Sequence, residues 1–316
     1  MDISAVVPVY NEEGSLRELH RRLSESLSKI AADYEILFVD DGSTDRSFDI
    51  LRELQESDGH VRLISFRANF GKSAALASGF GETTGRIVVT LDSDLQDDPS
   101  QIPLLVEKLN EGFGVVSGWK RERKDPLTKT IPSRVFNLAV SSITGIRIHD
   151  FNCGLKAYKG EAARELDLYG ELHRFIPVLA HWAGWKVSET VVVHHPRRHG
   201  KSKFGVARFI NGFLDLLSVM FLTAHETNPL HVFGRLGLLF FAVGFFINLY
   251  FAGVWILGEP LRVRPLLLFA VVLVILGIQF VSMGLLGEMI AKTGKRKEYP
   301  LRARLGFKSG PAESDR

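Results

Sequence analysis

The first two-thirds of the chain alternates short apolar runs with stretches whose apolar residues recur at helical spacing. The apolar runs are rich in β-branched residues and predict strands over residues 3–9, 34–39, 61–66, 87–91 and 114–118. The stretches between them predict helices over residues 11–31, 43–54, 72–81 and 102–110, the second with Ser43 or Thr44 as its N-cap. This order predicts an α/β domain with a mostly parallel sheet covered on both faces.

Polar turns follow three of the predicted strands: Tyr10-Asn11-Glu12, Asp40-Asp41-Gly42 and Asp92-Ser93-Asp94. Open α/β sheets bind ligands at the carboxyl ends of their strands, so these turns predict a crevice with two or three carboxylates. For any one of these turns, an alternative is an ordinary polar loop between a strand and a helix that binds no ligand. An Asp-x-Asp pair suits a divalent cation that holds a diphosphate. No Gly-x-Gly-x-x-Gly follows the first strand and no P-loop is present, which disfavours a dinucleotide fold.

Two long apolar runs occupy the last third of the chain. Residues 236–257 and 265–287 contain no charged side chain, and each reaches the roughly 20 residues that span a bilayer. The short link 258–264 predicts a helical hairpin with both flanks on the same side. Buried helices of a large soluble core are the alternative.

Flanking charge predicts the orientation of this hairpin. The turn contains Arg262 and Arg264, whereas the region after the second run carries more basic residues: Lys292, Lys295, Arg296, Lys297, Arg302 and Arg304. The positive-inside rule therefore places the α/β domain and both termini in the cytoplasm. The resulting expectation is a multi-pass protein of the plasma (inner) membrane.

The segment before the hairpin mixes apolar residues with a few charges. Residues 204–230 predict an amphipathic helix that lies in the membrane interface, with a helix packed on its own domain as the alternative. The predicted organisation is then an α/β domain over 1–203, an interfacial segment over 204–230, a hairpin over 231–290 and a basic tail over 291–316.

Composition narrows the picture further. The 316 residues carry a formal charge of only +3, so no nucleic-acid footprint is expected. The single Cys153 excludes an internal disulfide and a cysteine zinc site, and it predicts a small buried hydrophobe without chemistry. The chain opens on a strand pattern without a basic n-region, so we expect the amino-terminal domain to stay where it is made.

Four motifs in order resemble the inverting family-two glycosyltransferases: Val7-Pro8-Val9-Tyr10-Asn11-Glu12-Glu13, Val39-Asp40-Asp41-Gly42-Ser43-Thr44-Asp45, Asn69-Phe70-Gly71-Lys72 and Asp92-Ser93-Asp94-Leu95-Gln96. Residues 150–156 and 197–203 resemble later elements of one branch, the polyprenyl-phosphate glycosyltransferases. That branch includes dolichyl-phosphate mannose synthase and bacterial bactoprenol glucosyltransferases. The resemblance covers residues 1–204 by motif and implies a GT-A (nucleotide-diphospho-sugar transferase) fold.

The resemblance also implies roles for individual residues. The nucleotide sugar would be bound by Pro8, Tyr10, Glu12, Asp41, Lys72 and Ser93. A Mg²⁺ or Mn²⁺ ion would be held against the donor diphosphate by Asp92, Asp94 and Gln96, whose oxygen atoms are suitable hard ligands. An exposed polar residue before a helix is the alternative for Gln96. The residues expected to act in catalysis are Asp92, Asp94, Arg197 and Lys203.

The implied acceptor is a lipid phosphate, which needs cations more than a base. A phosphomonoester is mostly ionised near neutral pH because its second pKa is about 6, so it can attack an anomeric carbon unaided. The cations expected to hold it are Arg134, Arg197, Lys201 and Lys203. Arg121 and Arg123 are further candidates, with a solvated or headgroup-facing basic surface as the alternative.

These observations predict transfer of a hexose, first of all glucose from UDP-glucose, to undecaprenyl phosphate with inversion at the cytoplasmic leaflet. Mannose from GDP-mannose and amino-arabinose are alternatives for the sugar. A processive polysaccharide synthase is an alternative of another class, although no Gln-x-x-Arg-Trp motif is present. A non-catalytic membrane adaptor is a further one, which the intact Asp92 and Asp94 disfavour. The expected partners are the nucleotide sugar, the polyprenyl phosphate and the bilayer, and a homo-oligomer stays open.

Overall fold

A computed structural model describes residues 1–121, 137, 140–141, 144–193, 195, 229–258, 265–293 and 299–307 of the chain. The chain divides into two compact units. The first comprises Met1–Leu216 together with Glu298–Arg316, and the second comprises Leu217–Lys297. The predicted interfacial segment 204–230 lies outside the described residues, apart from its last two.

The first unit is built on one mixed sheet. Its strands β1 to β8 are Ile3–Val9, Tyr34–Asp40, Val61–Phe66, Ile87–Thr90, Val115–Trp119, Lys156–Lys159, Val187–Val191 and Leu301–Leu305. The sheet order is β7-β5-β6-β4-β1-β2-β3-β8. Strands β4, β1, β2 and β3 are parallel, whereas β6 runs antiparallel to both β4 and β5. The predicted mostly parallel sheet is therefore confirmed.

Six helices of this unit are described: α1 Leu16–Leu27, α2 Ser47–Ser57, α3 Lys72–Glu82, α4 Ile102–Asn110, α5 Gly160–Glu165 and α6 Ile176–Trp182. In α1, Leu16, Leu19, Leu23 and Leu27 are fully buried in the core beside the strands. Their spacing of three and four residues puts them on one helix face. Full burial of a leucine contributes about 1.5–3 kcal/mol, so this face accounts for the packing of α1.

The first helix is shorter than the predicted 11–31 because the residues before it bind the next loop. Asn11 has a positive φ of 55°, and its backbone N–H donates to Ser43 Oγ over 3.0 Å. Its side-chain Oδ1 accepts the Thr44 N–H over 2.8 Å. Ser43 and Thr44 are thus partners of Asn11 and not the N-cap of α2, which begins at Ser47.

Strand β8 lies within the segment that the sequence predicts as a basic tail. It pairs antiparallel with β3, and Arg67 N–H donates to Pro300 O over 3.0 Å. Two of the basic residues are engaged in this contact. Arg304 pairs with Glu82 over 2.7 Å, and Arg302 lies 4.1 Å from the centre of the Phe48 ring. The chain therefore returns to the first unit after its apolar helices.

The described residues of the second unit form two helices, α7 Pro229–Ile256 and α8 Pro265–Thr293. Within them Phe233–Ile256 and Pro265–Gly287 are long and apolar enough to cross a membrane. Small residues let the two backbones approach, as is typical of membrane helix pairs. A Cβ built on Gly244 would lie 2.6 Å from Ala270 O, and one built on Gly277 would lie 2.6 Å from the Phe241 nitrogen.

Candidate active site

The loops after β1, β2 and β4 are joined by hydrogen bonds at the carboxyl edge of the sheet. Besides the Asn11 contacts, Glu12 N–H donates to Ser47 Oγ over 2.9 Å. Ser15 Oγ donates to the backbone oxygen of Ser93 over 2.7 Å. The three polar turns singled out in the sequence therefore lie together, and Tyr10, Glu12 and Ser93 belong to this edge.

Asp41 binds the backbone at the start of α3. Its carboxylate accepts the N–H groups of Phe70 over 2.7 Å and Gly71 over 2.9 Å, and the residue is only 4% exposed. Burial raises the pKa of Asp41, although the two N–H bonds oppose that rise. The loop is compact here, since a Cβ on Gly42 would lie 2.4 Å from the Ala68 carbonyl carbon. Asp41 thus shapes the 69–72 loop, and contact with a nucleotide stays a prediction.

The two carboxylates after β4 differ in their surroundings. Asp92 is partly exposed and forms an ion pair with Lys72 at the first position of α3. Asp94 is buried, and its Oδ1 accepts the Gln96 N–H over 3.2 Å. A positive φ of 60° at Leu95 completes this turn. One carboxylate is therefore held by a lysine and the other by its own turn.

A small pocket lies beside Asp92. Its polar lining includes Lys72, Asp92, Asn152, Lys156 and His173, and its apolar lining includes Pro8, Leu76, Leu91, Tyr158 and Ile176. Of the residues expected to bind the nucleotide sugar, the pocket brings together Pro8 and Lys72. The side chains of Tyr10, Glu12, Asp41 and Ser93 are not among its lining residues.

Gly154 makes room for the Asp92 carboxylate. A Cβ built at Gly154 would lie 2.6 Å from Asp92 Cγ. The backbone oxygen of Gly154 also accepts the Thr90 hydroxyl over 3.0 Å, which fixes the segment against β4. Any larger residue at this position would push against the carboxylate.

Lys156 is a lysine in the interior of the sheet. It pairs in register with Thr90 of β4 and Ser117 of β5, and it is 3% exposed. Its ammonium donates to the backbone oxygen of Cys153. Burial lowers the pKa of Lys156, and the nearby Lys72 charge lowers it too, while Asp150 and Asp92 act in the opposite direction.

Cys153 itself is 1% exposed, and burial raises the pKa of its thiol to about 12. It stays protonated near neutral pH, which confirms the predicted small hydrophobe.

The segment that precedes the basic motif at 197–203 reaches the same edge. His195 N–H donates to the Gln96 backbone oxygen over 2.9 Å, and His195 Nε2 lies 3.3 Å from Asp98 Oδ2. Arg197 is two residues further along the chain. The side chains expected to hold the acceptor phosphate, Arg134, Arg197, Lys201 and Lys203, lie outside the described residues, as does Arg123. Arg121 is exposed beside the Trp119 ring.

The carboxylates of Asp92 and Asp94 and the amide oxygen of Gln96 are by their chemistry suited to a hard divalent cation, whose coordination substrate phosphates would complete. Within the described part of the chain, no cluster of three His, Cys, Asp or Glu residues forms a self-contained metal site. Mg²⁺ is commonly bound by one or two carboxylates together with substrate phosphates, and this edge supplies two carboxylates. The Lys72 ammonium already contacts one oxygen of Asp92, so the lysine and a cation would share that carboxylate.

The family model for glycosyl transferase family 2 matches residues 4–167. The chain belongs to glycosyltransferase family 2. It is 38% identical over 307 residues to dodecaprenyl-phosphate galacturonate synthase of Rhizobium johnstonii, which covers 94% of this chain and 90% of the relative. It is 39% identical over 298 residues to undecaprenyl-phosphate 4-deoxy-4-formamido-L-arabinose transferase of Pseudomonas fluorescens, with 92% and 84% covered. The predicted branch of polyprenyl-phosphate glycosyltransferases is confirmed.

Solved structures share the fold of the first unit. Glucosyl-3-phosphoglycerate synthase of Mycobacterium tuberculosis, in complex with phosphoglyceric acid, matches with a TM-score of 0.53 at 22% identity. The match covers 69% of this chain and 80% of that one. The same enzyme with Mn²⁺ and UDP-glucose matches with a TM-score of 0.52 at 23% identity, covering 69% and 79%. The predicted GT-A fold is therefore confirmed for the first unit.

Two residues of this site had no role in the sequence-based prediction. Gly154 and Lys156 both lie in the segment 150–156, which resembles an element of the polyprenyl-phosphate glycosyltransferases but implies no role for either residue. A signal for Lys156 was present, because a lysine between Leu155 and Ala157 interrupts an apolar strand. No local sequence pattern predicts a role for Gly154, because its close approach to the Asp92 carboxylate joins two residues that are far apart in the chain.

Proposed function

We propose that this protein transfers a sugar from a nucleotide-diphosphate donor to a polyprenyl phosphate with inversion of the anomeric centre. The observation that carries the proposal is the joining of three strand-end loops around Asp92, Lys72 and the adjoining pocket. The relatives, named for transfer to dodecaprenyl and undecaprenyl phosphate, support the acceptor. A phosphate oxygen would form a bond to the anomeric carbon. The bond from that carbon to the donor diphosphate breaks, and the nucleoside diphosphate leaves with the electron pair.

Asp92, Asp94 and Gln96 are proposed to hold a Mg²⁺ or Mn²⁺ ion at the donor diphosphate. Such an ion would neutralise charge that develops on the leaving nucleotide. The M. tuberculosis enzyme was solved with Mn²⁺ and UDP-glucose, which supports the assignment. Lys72, next to Asp92, would add a second positive charge at the same place. Asp41 would keep the 69–72 loop, and so Lys72, in position.

The acceptor phosphate needs little help to become a nucleophile, because it is already largely ionised near neutral pH. It does need cations that hold it next to an anionic donor. Arg134, Arg197, Lys201 and Lys203 are proposed for this task. The contacts of His195 with Gln96 and Asp98 support the proposal for Arg197, since His195 lies at the carboxylate edge and precedes Arg197 by two residues.

Glucose, the first expectation for the sugar, is not supported by the relatives. Their names specify galacturonate and 4-deoxy-4-formamido-L-arabinose, so the alternative of amino-arabinose transfer has the better support. We therefore propose a modified sugar of one of these two kinds as the group transferred. The names describe transfer to a lipid phosphate, which favours this function over a processive synthase or a non-catalytic adaptor.

The apolar hairpin is proposed to cross the plasma membrane, with the first unit and both termini in the cytoplasm. Both ends of the hairpin connect to that unit, as the pairing of β8 with β3 requires. An even number of crossings is consistent with this connectivity. A homo-oligomer stays a prediction.

The proposal is tested with purified full-length protein, undecaprenyl phosphate and labelled donors. The panel contains UDP-galacturonate, UDP-4-deoxy-4-formamido-L-arabinose, UDP-glucose and GDP-mannose, and the product is read in the organic phase. We expect transfer from at least one of the first two donors. We also expect EDTA to stop the reaction reversibly, and Asp94→Asn to slow it about a hundredfold or more, as for loss of one preorganised electrostatic group.

Asp49→Asn is the matched control, because Asp49 is an exposed acid on α2 whose ion-pair partner, Arg52, lies on the same helix. It should keep wild-type turnover. Undiminished transfer in thoroughly chelated buffer would disprove the metal assignment. Failure of every donor to give a lipid product would disprove the proposed function.

A further inference from the structure

Lys156 is a buried ionisable residue that the proposed function does not use. The residue is 3% exposed and lies between β4 and β5 within the sheet. The side-chain nitrogen of Lys156 donates to a neutral acceptor, the Cys153 backbone oxygen. Among the residues that the structure describes, no carboxylate forms an ion pair with Lys156 within 4.0 Å. Burial of an ammonium without a matching anion is costly, and an anion that enters the site beside it would offset that cost.

The ammonium of Lys156 borders the pocket described above. Lys72 lines the same pocket, but its charge is matched by Asp92. Lys156 is thus the second basic side chain of the lining, and when protonated it adds a positive charge that Asp92 does not balance. The lining also includes apolar residues, and an apolar surrounding strengthens the attraction between a cation and an entering anion.

The register of the sheet shows where Lys156 lies relative to the two carboxylates. Lys156 is directly opposite Thr90, which precedes Asp92 by two residues. Asp92 lies two residues beyond the end of β4 and lines the same pocket, so Lys156 lies further inward from the strand end than Asp92 does. The Thr90 hydroxyl is 3.2 Å from the hydroxyl of Tyr158, another pocket residue, which supports this placement. The proposed diphosphate site at Asp92 and Asp94 is thus nearer the mouth.

We infer that Lys156 binds an anionic oxygen group of the sugar-nucleotide donor. The inference rests on the proposed function, which places the donor at Asp92. The anionic group has two possible sources on such a donor, the carboxylate of a uronic acid and the diphosphate. The inward position of Lys156 favours the carboxylate, and the galacturonate in the name of one relative is in agreement.

Calorimetry on the full-length protein in detergent tests this inference with three probes: UDP, UDP-galactose and UDP-galacturonate. The last two differ only in a hydroxymethyl group against a carboxylate. For a carboxylate site, we expect wild-type protein to bind UDP-galacturonate at least tenfold more tightly than UDP-galactose. Lys156→Met should remove that preference and leave the affinity for UDP unchanged. For a diphosphate site, Lys156→Met should weaken all three probes by a similar factor of about ten or more.

Lys159→Met is the matched control, because Lys159 is an exposed lysine on the same strand. It should change none of the affinities. Methionine has a similar length and is apolar, so it suits a buried position, and a thermal melt establishes that the variant is folded. Lys156→Arg, which keeps the charge, should retain part of the binding that Lys156→Met loses. If Lys156→Met does not fold, Lys156→Gln takes its place in the same titrations.

Unchanged affinity for all three probes in a folded Lys156→Met would overturn the inference. So would a defect confined to the acceptor, seen as a raised KM for undecaprenyl phosphate with normal donor binding. The proposed function fails separately, when no donor yields a lipid product although the donors bind. The two outcomes are therefore distinguishable in the same preparation.

Discussion

Gly154 shows how one missing side chain sets the position of a functional carboxylate. The distance of 2.6 Å between a Gly154 Cβ and Asp92 Cγ leaves no room for alanine without movement of Asp92. We predict that Gly154→Ala disturbs the Asp92–Lys72 pair and lowers transfer at least tenfold, which corresponds to about 1.4 kcal/mol in the barrier. Steady-state kinetics with the preferred donor measure the effect.

Gly81→Ala provides the control for this prediction, since no atom lies within 4 Å of its Cβ and the site is in helix α3. Alanine there should keep full activity and raise stability by about 0.5–1 kcal/mol. If Gly154→Ala were as active as Gly81→Ala, the close approach of Gly154 to the Asp92 carboxylate would not matter for transfer.

Among individual residues, the sequence predicts those whose role follows from local context. Asp92 and Asp94 stand at the end of an apolar strand, so their place at the sheet edge could be predicted. The ion pair of Asp92 with Lys72 could not, because it joins two loops through the folded sheet. The same holds for Asp41, whose partners Phe70 and Gly71 are about thirty residues away.

At the level of elements, strands β1 to β5 were predicted because they are continuous apolar runs joined by helices. Strands β6 and β7 escaped prediction because the sheet order places them beside strands that are distant in the chain. Strand β8 has a period-two pattern, Leu301-Arg302-Ala303-Arg304-Leu305, that suits an edge strand with charged side chains. Its basic residues were instead interpreted as a membrane-topology signal.

The segment that leads into β8 also touches the loop that Asp41 holds. The Tyr299 ring lies 5.4 Å from the Phe66 ring and 5.5 Å from the Phe70 ring. We predict that Tyr299→Ala raises the donor KM about three- to tenfold with little change in kcat. The aromatic contacts that support Phe70 are lost in this variant, and such pairs contribute about 0.5–1.5 kcal/mol each.

Tyr299→Phe keeps the ring and should behave like the wild type in donor titrations. Equal donor KM values for Tyr299→Ala and Tyr299→Phe would show that the C-terminal segment does not influence the 69–72 loop.

For the whole molecule, the proposed topology can be tested in living cells. A Cys153→Ser variant removes the only native thiol, and single cysteines are then introduced at Gly258 and Lys295. We predict that an impermeant maleimide labels the cysteine at 258 in intact cells, because the hairpin turn would face outward. The cysteine at 295 should react only after the membrane is permeabilised.

Detection by a mass shift on a gel suffices, with permeabilised cells as the control for reactivity of both positions. The opposite labelling pattern would invert the orientation and separate the protein from the cytoplasmic pool of nucleotide sugars.

The pairing of β8 with β3 has a consequence for how the protein is made. Arg67, the residue after β3, donates from its side chain to the Leu301 backbone oxygen 234 residues away, and both apolar helices are synthesised between them. While the ribosome translates that stretch, β3 presents an open strand edge, the kind of surface that invites pairing with other chains. Strand β8 can pair with β3 only after the last helix has left the ribosome. Insertion of the proposed membrane hairpin would therefore begin before the enzyme domain is complete.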